Sequence, residues 1–159
     1  MPPGVTVDAS AIAGWTSAEG CPAADGVGAA AGVPLELDWD QTTSGELPYP
    51  DITHRGCGYI SADEGVSISL ESMTGADHAI REVVDEVNEM ASGMEEVEFV
   101  HEPRLGADGY RVSIGIAGMG ALCRVGGVIG GSYIQVAVSD FGGETGHDSC
   151  ELAVALALQ

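Results

Sequence analysis

Four cysteines set the first constraint on what this chain can fold into. Cys21, Cys57, Cys123 and Cys150 are even in number, lie far apart, and include no C-x-x-C pair of the kind that structural zinc sites and thioredoxin-like motifs use. They predict two disulfides. Three connectivities are possible, and Cys21 with Cys57 plus Cys123 with Cys150 is favoured because each pair brackets its own half of the chain. In the chain-entropy model each closed loop contributes roughly 3 to 4 kcal/mol. Persistent disulfides imply an oxidising compartment. The chain opens Met-Pro-Pro-Gly, with no basic or apolar export segment, as expected of an exported protein read without its signal peptide and with an initiator Met in its place.

Length and charge narrow the class further. The 159 residues fit one ordinary domain, and 45% apolar residues with only 5% aromatic ones imply a core of Val, Ile, Leu and Ala. Against 25 acidic residues stand five basic ones, all Arg, for a formal net charge of −20. Such a field repels phosphate backbones and anionic headgroups, so nucleic acid and acidic membranes are not expected partners. The acidity itself reads as a solubility device. No apolar run is long enough for a bilayer span, since the Gly-rich stretch Ile114 to Gly131 is broken by Cys123 and Arg124.

Residues 1 to 20 mix Pro, Gly, Ala and Ser and predict a flexible tether, with Trp15 marking where packing begins; residues 21 to 159 form a single stapled domain. An Ala-rich stretch after Cys21 predicts a short helix ended by Gly32, and Leu35 and Leu37 open a strand. Residues 38 to 56, DWDQTTSGELPYPDITHRG, contain two prolines and no usable period, and predict a long loop. Cys57 to Ser61 and Val66 to Leu70 read as a hairpin turned by Asp63-Glu64-Gly65. Ile80, Val83, Val84 and Val87 recur at i, i+3, i+4 and i+7, which predicts an amphipathic helix opened by Thr74 and Asp77 and closed by Gly93. Val97 to Val100, Tyr110 to Ile116, Ala121 to Val125 and Tyr133 to Val138 read as an antiparallel meander. Asp148 and Glu151 stand in capping-box spacing before the apolar helix CELAVALAL. The expected fold is α+β, a curved antiparallel sheet with two main helices packed on one face.

That layout carries a resemblance. An early cysteine before a short Ala-rich helix and Gly-Val-Pro (Cys21 to Pro34) is followed by Gly-Cys-Gly-Tyr (Gly56 to Tyr59) and a central amphipathic helix. A glycine turn then leads to Tyr at Gly106 to Tyr110, and an Arg-Val-Gly-Gly hairpin (Arg124 to Gly127) precedes a strand and a terminal helix. Over residues 20 to 158 this resembles the mature domain of actinobacterial secreted lipoproteins and kinase sensor ectodomains. The resemblance implies a secreted or lipid-anchored envelope domain, with any membrane attachment through a lipid anchor upstream of this chain. It brings no catalytic residues.

Candidate chemistry is sparse. His54, His78, His101 and His147 are scattered, with none in helical zinc spacing, and Asp38 and Asp40 begin a calcium-loop pattern that Thr42 and Thr43 interrupt. Gly115, Gly118 and Gly120 are in the wrong order for a dinucleotide loop. Ser132, Ser139 and Ser149 lack a G-x-S-x-G setting. No metal and no cofactor are expected. Trp39, Tyr49, His54 and Arg55 supply aromatic and polar contacts in the 38 to 56 loop. The expectation is therefore a noncatalytic envelope domain that recognises a small ligand, glycan or protein through that loop and the Gly-rich 139 to 147 loop. A small secreted hydrolase using His147 or Ser149 is the competing class.

Overall fold

Neighbouring side chains of a strand point to opposite faces of its sheet, so strand register assigns each residue to a face. The computed structural model describes residues 7–17, 20–45, 50–92, 98–115 and 121–159. Seven strands form one antiparallel sheet: β1 (Glu36–Ser44), β2 (Ile52–Ile60), β3 (Val66–Gly75), β4 (Glu98–His101), β5 (Tyr110–Gly115), β6 (Ala121–Ile129) and β7 (Ser132–Asp140), in the order β1-β2-β3-β7-β6-β5-β4. Among the described residues there are three α-helices, α1 (Ala24–Ala31), α2 (Asp77–Ser92) and α3 (Ser149–Ala157). None is long and apolar enough to cross a membrane.

One face of the sheet is the main core. Cys57 and Tyr59 of β2, Val66, Ile68 and Leu70 of β3, Ile134, Val136 and Val138 of β7, and Cys123 and Val125 of β6 are buried there together with α1 and α3. Helix α3 is apolar nearly all round because it lies between the sheet and other chain segments, and Leu152, Ala153, Val154 and Leu156 are all buried. Asp148 caps it by accepting the Glu151 N–H at 3.1 Å, as the spacing predicts. Both favoured disulfides form: Cys21–Cys57 ties the start of the domain to β2, and Cys123–Cys150 ties α3 to β6.

Helix α2 lies on the reverse face. Its Ala79, Ile80, Val83 and Val84 pack with Ile52, Tyr110 and Tyr133, residues that alternate with the core set on β2, β5 and β7. The expectation of both main helices on one face therefore fails. The reason is that the sheet carries a second apolar patch at one end, which only an amphipathic helix with a charged outer side can cover. Thr74 belongs to β3, so it does not cap α2; Ala76 supplies the carbonyl that accepts the Ala79 and Ile80 N–H groups.

Two further expectations need correction. Residues 38–44 and 52–56 are not loop but strand, in a pairing that runs from Glu36↔Ile60 to Ser44↔Thr53. Strand β1 is the sheet edge and is exposed almost throughout, so no face of it has to be apolar and no alternation marks it. Within the expected tether, residues 9–15 are packed on the domain: Ile12 and Trp15 are buried, the Trp15 indole donates to the Leu156 carbonyl at 2.7 Å, and Gly14 N–H donates to the Gln159 carbonyl.

Candidate functional site

Helix α2 covers only one end of its face, and among the described residues no other helix packs on the rest of it. The register lays out one row across the whole sheet: Trp39, Gly58, Ser69, Ala137, Arg124, Val112 and Phe99. The neighbouring row, toward α2, is Gln41, Gly56, Glu71, Gln135, Gly126, Tyr110 and His101. Three small residues, Gly58, Ser69 and Ala137, thus separate the Trp39 backbone from Arg124; Gly58 lies under the Trp39 ring, and Ser69 and Ala137 form the floor of a trough beyond it. At about 4.8 Å between strands, four steps place the Cα atoms of Trp39 and Arg124 roughly 19 Å apart. A depression of about 330 Å³ opens at the Trp39 end, lined by Asp38, Trp39, Ser67, Ser69, Leu122 and Ala137 among others, and Arg124 stands beside it, next to Ala137 in register.

Glycines make the Trp39 end possible. The indole lies across Gly56 and Gly58, and a Cβ on Gly58 would fall against the Nε1, Cδ1 and Cε2 atoms of the ring. One ring face rests on the β2 backbone, yet the residue stays 39% exposed. The Tyr110 ring covers Gly126 in the same manner and stacks on Phe99, with centroids 5.3 Å apart.

Polar side chains cross the sheet between the trough and α2. Glu71 accepts from His54 Nε2 at 3.1 Å and from Gln135 Nε2 at 3.3 Å. Tyr133 donates a long 3.5 Å bond to Gln135 Oε1, and the Tyr110 and Tyr133 hydroxyls are 2.6 Å apart. Burial pushes both of those phenols above their ordinary range, so they remain protonated donors. Tyr59, whose hydroxyl donates to the Pro22 carbonyl on the core face, is pushed up to about 12, mainly by burial.

Of the four residues expected to act together, the structure brings two to this face. Trp39 and His54 stand on β1 and β2, on strands instead of a loop. Arg55 turns to the core face, where it is 6% exposed and donates to the carbonyls of Trp15 and Gly20. It is a clamp on the N-terminal segment and has no access to a ligand. Tyr49 lies outside the described residues. The 139 to 147 stretch begins in β7, and its turn is tied down by Asp140, which accepts from the N–H groups of Glu144 and Thr145 and from the Thr145 hydroxyl.

Sequence reasoning missed Arg124. Its neighbour Cys123 must face α3 to pair with Cys150, so parity alone sends Arg124 to the opposite, bare face. In the His147-Asp148-Ser149 run, Asp148 is engaged as the α3 cap, and His147 Nδ1 is buried with no hydrogen-bond partner among the described residues. Among those residues no three His, Cys, Asp or Glu side chains converge as a metal site would require.

No protein-family model and no curated protein matches the chain. Among solved structures, the extracellular domain of PknH from Mycobacterium tuberculosis is similar over 85% of this chain and 91% of that domain, with a TM-score of 0.55 and 9% sequence identity. At that identity the likeness lies in the fold, a sheet-and-helix architecture common to both chains.

Proposed function

We propose that this chain is a noncatalytic, extracytoplasmic recognition domain that binds a small ligand, glycan or protein on the bare part of its sheet face. The observation that carries the reading is the trough itself: a polar floor of small side chains left open beside an exposed Trp39. A half-covered sheet ordinarily presents long polar side chains to water, whereas this one presents an aromatic ring beside Gly, Ser and Ala. Two disulfides, with Cys57 and Cys123 fully buried, favour an oxidising location, and the fold shared with an extracellular domain agrees with it. The sequence resemblance extends the reading to the cell envelope of an actinobacterium, with attachment upstream of this chain.

The test is a glycan and peptide array read with the disulfide-intact domain and with Ala137→Phe, which fills the floor from a half-buried position. Thermal unfolding checks that the variant still folds. Retention of array binding by a folded Ala137→Phe domain rules the trough out. Mass spectrometry of the eluted ligand separates the competing class, since a hydrolase releases cleaved product and a recognition domain returns the ligand intact.

A further inference from the structure

Five guanidiniums serve a chain of 25 carboxylates, and four of them face away from the trough or are engaged. Arg55 is buried against carbonyls. Arg81 holds Asp108 through two bonds of 2.9 Å, and Arg104 bridges Glu102 and Glu151. Arg111, opposite Val125, faces the core side of the sheet, where Glu102 and Glu151 feel its charge. Arg124 stands exposed in the trough with no hydrogen bond or ion pair to the described residues. In a molecule with a net charge of −20, a cation without a carboxylate partner is out of keeping with its surroundings unless an anion reaches it from outside.

We infer that the trough binds a saccharide bearing a single carboxylate, with a sugar ring stacked on Trp39 and the carboxylate paired to Arg124. This rests on the reading of the bare face as the recognition surface. The aromatic ring offers a flat apolar platform for the C–H side of a pyranose, and Ser67, exposed, and Ser69, half-buried, offer hydroxyl partners for its rim. A pyranose spans roughly one strand spacing, so the distance from Trp39 to Arg124 suits a short oligosaccharide lying across the strands. The planar guanidinium fork matches a carboxylate in two parallel bonds.

The same features argue against other occupants. One guanidinium in a strongly acidic field does not hold a polyphosphate or a polyuronide. An extended peptide gains most of its affinity from main-chain bonds to a free sheet edge, which here is the outer side of β1 and not the floor of the trough, where β2, β3 and β7 are paired on both sides. A wholly apolar ligand finds a floor of Ser and Ala with little surface to bury against.

Paired sugars test the assignment: N-acetylglucosaminyl-N-acetylmuramic acid against chitobiose, which differ by one carboxylated lactyl ether, and sialyllactose against lactose, which differ by one carboxylated sugar residue. Affinity is read by titration, and contact by NMR of the Trp39 indole and Arg124 guanidinium resonances. The expected result is that an acidic sugar moves both resonances and binds about tenfold or more tightly than its neutral counterpart, as a charge-assisted bidentate pair implies. Arg124→Gln then removes that preference while leaving the weak neutral-sugar affinity in place. Equal binding of acidic and neutral sugars, or a preference that survives Arg124→Gln, overturns the inference. If chitobiose, lactose or tetraglutamate moves the Trp39 resonance without an acidic-sugar advantage, the carboxylated ligand class is wrong and the recognition face stands. If no sugar moves either resonance the inference is overturned, and the array comparison with Ala137→Phe separately decides the fate of the recognition face.

Discussion

Gly58→Ala is the substitution from which the geometry of the bare face can be measured. A methyl group there occupies space now filled by the Trp39 indole, and the ring, 39% exposed, can escape only outward into water. If about 100 Å² of apolar ring surface is re-exposed, the loss is about 2.5 kcal/mol at ~25 cal/mol/Å². Alanine recovers roughly 0.5 to 1 kcal/mol, because glycine loses more backbone freedom in a strand. The net destabilisation expected is thus about 1.5 to 2 kcal/mol.

Trp39→Ala abandons the same contact and is expected to cost about 2.5 kcal/mol. The two changes do not add. Once the ring is gone, Gly58→Ala should become stabilising by about 0.5 to 1 kcal/mol, which gives a coupling of roughly −2.5 kcal/mol in the double-mutant cycle. Urea unfolding followed by circular dichroism, with both disulfides intact and unchanged m-values, provides the four free energies. Gly20→Ala serves as a control, since a Cβ there meets nothing within contact distance. A coupling weaker than about 0.5 kcal/mol would refute the stacking of Trp39 on β2 and with it the platform at that end of the trough.

Removing either disulfide by paired Cys→Ala substitution should lower stability by about 3.5 to 4 kcal/mol, and nearly equally, because the loops they close differ only between separations of 36 and 27 residues. Denaturant midpoints check this, and a gap of more than about 2 kcal/mol between the two would show native-state contacts outweighing chain entropy. Arg55→Met should cost about 1 to 3 kcal/mol by stripping donors from the Trp15 and Gly20 carbonyls, with amide exchange accelerating first over residues 9–15; unchanged protection there would remove the clamp. Hydrogen bonding to Asp63 raises the Glu144 carboxyl above its ordinary range and draws Asp63 down to about 2. The Glu144 contribution is present below its unfolded pKa and lost as pH rises through the raised folded value, whereas that of Asp63 is lost only as pH falls toward 2. Amide protection of residues 141–146 should therefore weaken on going from mildly acidic to neutral pH in the native protein and stay level in Glu144→Gln, whose carboxamide keeps a donor at every pH. Identical profiles in the two proteins would refute the shared proton.

What could be read from the chain alone followed from periodicity and covalent logic. The hairpin of β2 and β3, helix α2 and helix α3 each bury one apolar face or an apolar whole, and burial writes a period into the sequence. The cysteine pairing followed from spacing. Strand β1 was read only at its opening, from Leu35 and Leu37, and its continuation escaped because it is an exposed edge: Asp38, Trp39, Asp40, Gln41 and Thr42 obey no alternation since none is needed. The first half of β2 escaped with it, as Thr53, His54 and Arg55 look like loop residues until the fold shows Arg55 turned inward to carbonyl groups. The candidate site was half visible for the same reason. Trp39 and His54 drew notice as isolated aromatic and polar residues, but the row Gly58, Ser69 and Ala137 exists only once three strands are in register.

That row shares its backbone with the most constrained residues in the molecule. Gly58 follows Cys57, and Arg124 follows Cys123, so each end of the trough is one peptide bond from a disulfide that holds the opposite face. Ser69 and Ala137 between them adjoin Leu70, Val136 and Val138, all fully buried in the main core. On the proposed reading, such a surface is ordered before a ligand arrives, and little conformational entropy remains to be lost on binding. The two disulfides then do more than stabilise the domain: they hold strands β2 and β6, beneath the Trp39 ring and at Arg124. Reduction of Cys123–Cys150 should loosen the Arg124 end first, weakening the preference for a carboxylate while the Trp39 platform, held through Cys21–Cys57, persists.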